Sequence, residues 1–198
     1  VNVAVIDRFD RTLTGRRIPY WSMATFLQST EDGYPPPCYT ELNERLYLQA
    51  DRQDKTTAKE IVGRLLLNYL INNTDDHGRN TGLLMRNNGV WVLSPAFDIN
   101  PVPLSRPEAP YVSKNYLSLA EGEIEDVRQI WDNLAAFDLT DEEGVEIFKR
   151  VIGAVRNWKS LAVKPTVRMN ASDLRDYAPA FSSVRGQKAA ELAARFEI

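Results

Sequence analysis

The sequence predicts a mainly α fold with a small β-hairpin, α+β overall, on three observations. Apolar residues recur at intervals of three and four along residues 40–49, 56–71 and 141–162, the spacing of a single buried helix face. The pair Asn88-Gly89 sits between two short apolar runs, 82–86 and 90–93, which is the strongest short-range signal for a tight hairpin. With 198 residues, 43% of them hydrophobic and 26% charged, the chain has the composition of an ordinary globular protein. At that length about 70% of the unfolded chain's surface can be buried, in one large domain or two small ones.

The elements follow in order. Residues 1–6 (VNVAVI) have the apolar character of a buried strand that begins mid-domain, with no leader pattern before it. Thr14-Gly15-Arg16-Arg17 is a polar turn, and residues 20–28 carry helical spacing. Pro35, Pro36 and Pro37 exclude regular structure from the connector that follows. Next come the helices at 40–49 and 56–71; the second has a wide stripe of Ile61, Leu65, Leu66, Tyr69 and Leu70 and stops at Asn72-Asn73-Thr74, residues that compete for helical hydrogen bonds. The hairpin comes next, then an irregular stretch kept so by prolines as far as Pro110. Helices are expected at 127–136, at 141–162 behind the capping box Thr140-Asp141-Glu142-Glu143, and from about Ser183 to the end.

Composition excludes several functions. A net charge of -3 and a pI near 5.3 leave no broad basic surface for direct nucleic-acid binding. No apolar run approaches the roughly 20 residues needed to cross a bilayer. Cys38 is the single cysteine, so no internal disulfide forms, and a reducing, cytoplasmic setting is expected. Trp91, Trp131 and Trp158 fall on core-facing positions. Tyr20 and Trp21, beside the prolines, are either core or partner-facing, and Lys149, Arg150, Arg156 and Lys159 form a solvated helix face.

Chemistry concentrates around the hairpin. Asp75 precedes Asn80 by five positions in Asn73-Thr74-Asp75-Asp76-His77-Gly78-Arg79-Asn80, and Asp98 lies at the hairpin's exit. A protein-kinase type of phosphotransferase needs those parts in that order: an aspartate for the substrate hydroxyl, an asparagine for Mg²⁺, and a second aspartate on the metal that bridges the nucleotide phosphates. An all-oxygen pair, Asn80 and Asp98, suits Mg²⁺ better than a transition-metal cluster of Asp75, Asp76, His77 and Asp98 with only one imidazole. His77 itself is open between metal ligand, general base and packing residue. Asp76 is expected to be solvated or to cap a backbone amide.

Three blocks carry a family likeness: Arg8-Phe9-Asp10-Arg11, the loop from Asn73 to Asn80, and Leu93-Ser94-Pro95-Ala96-Phe97-Asp98-Ile99-Asn100-Pro101. Together they resemble the signature of HipA-like serine/threonine kinases, the toxin kinases of bacterial toxin–antitoxin pairs, over the chain from its first strand to about Trp158. The resemblance implies a protein-kinase-like C-terminal lobe over residues 12–198, with residues 1–11 as the last strand of the small lobe and the hinge. By the same resemblance Asp75 is catalytic, His77 helps build the catalytic loop, and Asn80 and Asp98 bind Mg²⁺. Asp7 and Phe9 would offer backbone groups to the adenine of ATP, with Asp10 near the ribose. The implied partners are ATP, a protein Ser/Thr substrate and an antitoxin of the HipB type.

No Gly-rich phosphate loop and no strand lysine precede the hinge residues; Lys55 and Lys59 are the first lysines. The 198 residues alone are therefore expected to bind Mg·ATP weakly and to transfer phosphate negligibly. Two other functions compete with the kinase: a catalytically inactive kinase-like module that docks an antitoxin, and a Mg²⁺-dependent phosphohydrolase, which would need further carboxylates in the same cleft.

Overall fold

The computed structural model describes residues 7–30, 35–49, 55–103, 114–181 and 184–195. The strand expected at residues 1–6 lies outside them. The described chain is a mixed α/β structure with two small antiparallel sheets: β1 (Tyr20–Ser22), β2 (Gly82–Met85) and β3 (Trp91–Leu93) in the order β1-β2-β3, and β4 (Tyr116–Ser118) with β5 (Gly122–Glu123). Around them lie α1 (Met23–Phe26), α2 (Tyr39–Tyr47), α3 (Thr56–Leu70), α4 (Val127–Asp132), α5 (Asp141–Arg156), α6 (Trp158–Ala162), α7 (Ala171–Phe181) and α8 (Val184–Arg195). Among the described residues no helix is long and apolar enough to cross a membrane.

The core follows from the two longest stripes. Ile61, Leu65, Leu66 and Tyr69 of α3 meet Ile147, Phe148 and Val151 of α5, and all seven are buried. Each such side chain contributes about 1.5–3 kcal/mol by leaving water. At Gly63 a Cβ would lie 3.0 Å from the Arg150 guanidinium, so the missing side chain lets the two helices approach. The expected capping box is present: Thr140 accepts from the Glu143 N–H and Glu143 from the Thr140 N–H. Glu143 also pairs with Lys55 and Lys59 at 3.2 and 3.1 Å, tying the start of α5 to the start of α3.

Several expectations are corrected. Residues 20–22 are strand, because β2 would otherwise present an open edge; β1 covers it with Tyr20 opposite Leu84 and Ser22 opposite Gly82. Helix then starts only at Met23, where Ser22 caps the Thr25 N–H. Trp21 stacks on Trp91 with ring centroids 4.4 Å apart, which makes its exposed ring part of the sheet's apolar cover. The helix expected at 127–136 is split: α4 ends at Asn133, and residues 134–137 form a 3-10 turn closed by Asp138 at φ 57°. The one expected at 141–162 breaks at Asn157 into α5 and α6. The β4–β5 hairpin and α7 had no clear local signal, β4 being three residues long and α7 holding Pro179 near its end.

Candidate active site

The loop between α3 and β2 is anchored at both ends before any of its carboxylates is placed. Asn72 takes up φ 55°, a left-handed conformation that Asn tolerates, and its side chain donates to the Val102 carbonyl at 2.8 Å. Asn73 turns back onto α3, its N–H on the Asn68 carbonyl and its amide on Asn68 Oδ1. At the far end the Met23 and Ala24 N–H groups donate to the carbonyls of Thr81 and Gly78. Gly78 is needed there, since a Cβ would come within 2.7 Å of the Pro37 ring.

Inside this frame Asp75 and Asp76 diverge. Asp75 is half exposed, and Lys114 donates to its Oδ1 at 2.5 Å, which holds its carboxyl below the usual aspartate range. Asp76 is only 3% exposed, a correction to the expectation of a solvated or amide-capping residue. The Tyr39 hydroxyl donates to its carboxylate at 2.8 Å and the Asn115 amide at 3.3 Å. Burial nevertheless raises the Asp76 pKa, and raises that of Tyr39 well above its ordinary value.

His77 serves the loop with two groups. Its carbonyl accepts from the Asn80 N–H at 2.8 Å and its Nδ1 from the Arg79 N–H at 3.3 Å, while Nε2 stands 3.9 Å from Asp75 Oδ1. The Asn80 side chain donates to the Asp75 carbonyl at 3.0 Å, which leaves its Oδ1 as an acceptor. Across the loop, β3 delivers Asp98 through Ser94, whose carbonyl is held by Arg64 at 2.8 Å. Asp98 has φ 55°, and its Oδ1 accepts from the Asn100 amide at 2.8 Å.

Asn80 and Asp98, eighteen positions apart on either side of the hairpin, line one narrow polar cleft together with Asp76 and Arg64. Asp75 and His77 do not line it; Asp75 is joined to it through the bond from Asn80. Asp7, Phe9 and Asp10 border a second, more open groove whose wall includes Tyr20 and Phe97. Phe97 belongs to both, with its ring 5.5 Å from that of Phe9, so the groove of Asp7, Phe9 and Asp10 adjoins the cleft of Asn80 and Asp98. Asp10 is engaged there by Arg8 and Arg11 at 2.6 to 2.8 Å, and the hydrogen bonds from Arg8 are the main reason its pKa falls to about 2.

A sequence profile of the HipA-like C-terminal domain matches residues 1–159, four-fifths of the chain. The chain belongs to that family. No match was found among curated proteins. In this HipA-like domain, sequence reasoning missed Tyr39, Lys114 and Asn115, which reach the loop from 37 to 39 positions away; no local pattern could have marked them. It also missed Arg185 of α8, beyond the matched residues. Arg185 is buried, donates to Asn72 Oδ1 at 2.7 Å and lies over the Tyr69 ring, so α8 supports the point where the loop leaves α3.

Proposed function

We propose that this HipA-like domain is the C-terminal, protein-kinase-like lobe of a serine/threonine protein kinase that uses Mg·ATP, acting as the toxin of a toxin–antitoxin pair in the cytoplasm, where an antitoxin of the HipB type would restrain it. The observation that carries the reading is the shared cleft: Asn80 and Asp98, brought from opposite sides of the hairpin, with Asn80 also bonded to Asp75. Phosphoryl transfer of the protein-kinase type calls for two such oxygen donors in one cleft, beside an aspartate that orients the hydroxyl.

The donor set fits Mg²⁺. Asn80 Oδ1 and the Asp98 carboxylate are hard oxygens, the donors that Mg²⁺ prefers. Bound there, the metal would neutralise charge on the β- and γ-phosphates. The chain's own residues do the rest. The groove of Asp7, Phe9, Tyr20 and Phe97 offers aromatic walls to the adenine. Asp10 would reach a ribose only by giving up part of its contact with Arg8 or Arg11. Asp75 receives a hydrogen bond from the substrate Ser or Thr hydroxyl, orients its oxygen toward the γ-phosphorus and takes its proton as the new P–O bond forms. The bond to the β,γ-bridging oxygen breaks and ADP leaves with that electron pair.

Titration of nucleotide by calorimetry on the full-length protein separates the metal ligand from a mere surface charge. Asp98→Asn should weaken Mg·ATP binding by about tenfold or more while leaving metal-free ATP binding nearly unchanged. Equal losses with and without Mg²⁺ would remove Asp98 from the metal site.

A further inference from the structure

Two consecutive residues ahead of β4 grip two consecutive aspartates of the loop, and they do so differently. The Lys114 N–H donates to the Asp76 carbonyl at 3.1 Å and the Asn115 amide donates to the Asp76 carboxylate, both inside the protein. The Lys114 side chain instead runs along the outside to Asp75 Oδ1 at 2.5 Å. Its side chain is 54% exposed and that of Asp75 51% exposed. Ion pairs so open to solvent contribute little to stability. The segment is held by the backbone bond and by buried Asn115, and stability gives little reason for an ammonium at this carboxylate.

Position gives a reason. A hydroxyl oriented by Asp75 must lie within about 2.6–3.2 Å of the carboxylate, and in a reactive pose its oxygen is about 3–3.5 Å from the phosphorus. A cation already bonded to Asp75 is then one side-chain rotation from the oxygens of the transferring group. Lysine suits that place, having three donors on a flexible stem, so it can touch the carboxylate and a phosphoryl oxygen together. We propose that Lys114 is a catalytic residue of the phosphotransfer, its ammonium bridging Asp75 and the γ-phosphoryl oxygens of ATP. This rests on the kinase function proposed above. As the hydroxyl oxygen bonds to the γ-phosphorus and the bond to ADP breaks, Asp75 takes the hydroxyl proton. Lys114 keeps its three protons throughout and offsets the charge spread over the phosphoryl oxygens.

The test uses the full-length protein, γ-labelled Mg·ATP and a degenerate Ser/Thr peptide library as acceptor, with Lys114→Met, Lys114→Arg and Asp75→Asn compared. Lys114→Met should lower kcat by about a hundredfold and weaken binding of a non-hydrolysable ATP analogue with an intact γ-phosphate. Its affinity for Mg·ADP and its melting temperature should stay at wild-type values. Lys114→Arg, which keeps the charge, should recover part of the rate. Near wild-type transfer by Lys114→Met beside a dead Asp75→Asn would overturn the lysine's role and leave the kinase reading standing. Equal weakening of Mg·ADP and analogue, with a lowered melting temperature, would overturn it too by making Lys114 a structural residue. Wild-type transfer by Asp75→Asn would remove both.

Discussion

Asp75 and Asp76 are adjacent and chemically identical, and their surroundings separate them. Asp75 is exposed and paired with Lys114, so it stays ionised and accessible to a hydroxyl. Asp76 is buried and bonded by Tyr39 and Asn115, which knit α2, the loop and the approach to β4 together. Because burial dominates, the folded-state pKa of Asp76 lies above its unfolded value. Its linkage therefore runs opposite to that of a salt-bridged aspartate: the stabilisation from its protonation is complete below the ordinary aspartate pKa and is lost as pH rises through the raised one. Above that point the charged form depends on its donors. Tyr39→Phe should cost about 1–3 kcal/mol near neutral pH, and the cost should shrink in acid, where a protonated carboxyl accepts a weaker bond. Urea unfolding of both proteins near pH 7 and near pH 4 measures this; a cost that does not change with pH would mean the hydroxyl does not serve the carboxylate's charge.

At the scale of elements, the three-stranded sheet positions Asp98. Gly82 at the start of β2 lies under the ring of Tyr20, the hydroxyl of Ser94 and the ring of Phe97, and an added Cβ would stand 2.6, 2.7 and 3.0 Å from them. Gly82→Ala must therefore push on β1 or on the segment that carries Phe97 and Asp98. Overpacking of this kind costs about 1–3 kcal/mol, and here the displaced segment holds a proposed metal ligand. The variant should lose both thermal stability and Mg·ATP affinity, measured by a melting curve and by calorimetry. Stability lost without any change in affinity would mean that the sheet yields at β1 and leaves Asp98 in place. The hairpin itself was legible in Asn88-Gly89, where Gly89 takes φ 81° as the turn requires. β1 was not, because three residues of helical spacing became strand only through the edge of β2, a partner 60 to 64 positions away in sequence.

Across the whole molecule, legibility followed the range of the interaction. The stripe of α3, the capping box that opens α5 at Thr140 and the Asn stop after α3 are local patterns, and each lies where its pattern put it. Asn80 and Asp98 were readable as a pair because a short hairpin returns the chain to its start. Tyr39, Lys114, Asn115 and Arg185 were not, since each meets the loop through the packing of a distant element. Residues of α2, α3 and α8 and of the approach to β4 thus meet at one loop, and the proposed function stands or falls on what Asp75 does there. The most direct measurement is transfer of label from γ-labelled Mg·ATP to Ser/Thr peptide by the full-length protein and its Asp75→Asn variant, with nucleotide binding followed in parallel. Asp75 acts on the hydroxyl mostly in the transition state, so the variant should bind Mg·ATP like the wild type and transfer at a rate lowered by about 10²-fold or more. Transfer by Asp75→Asn at the wild-type rate would contradict the assignment of Asp75, and with it the phosphotransfer site.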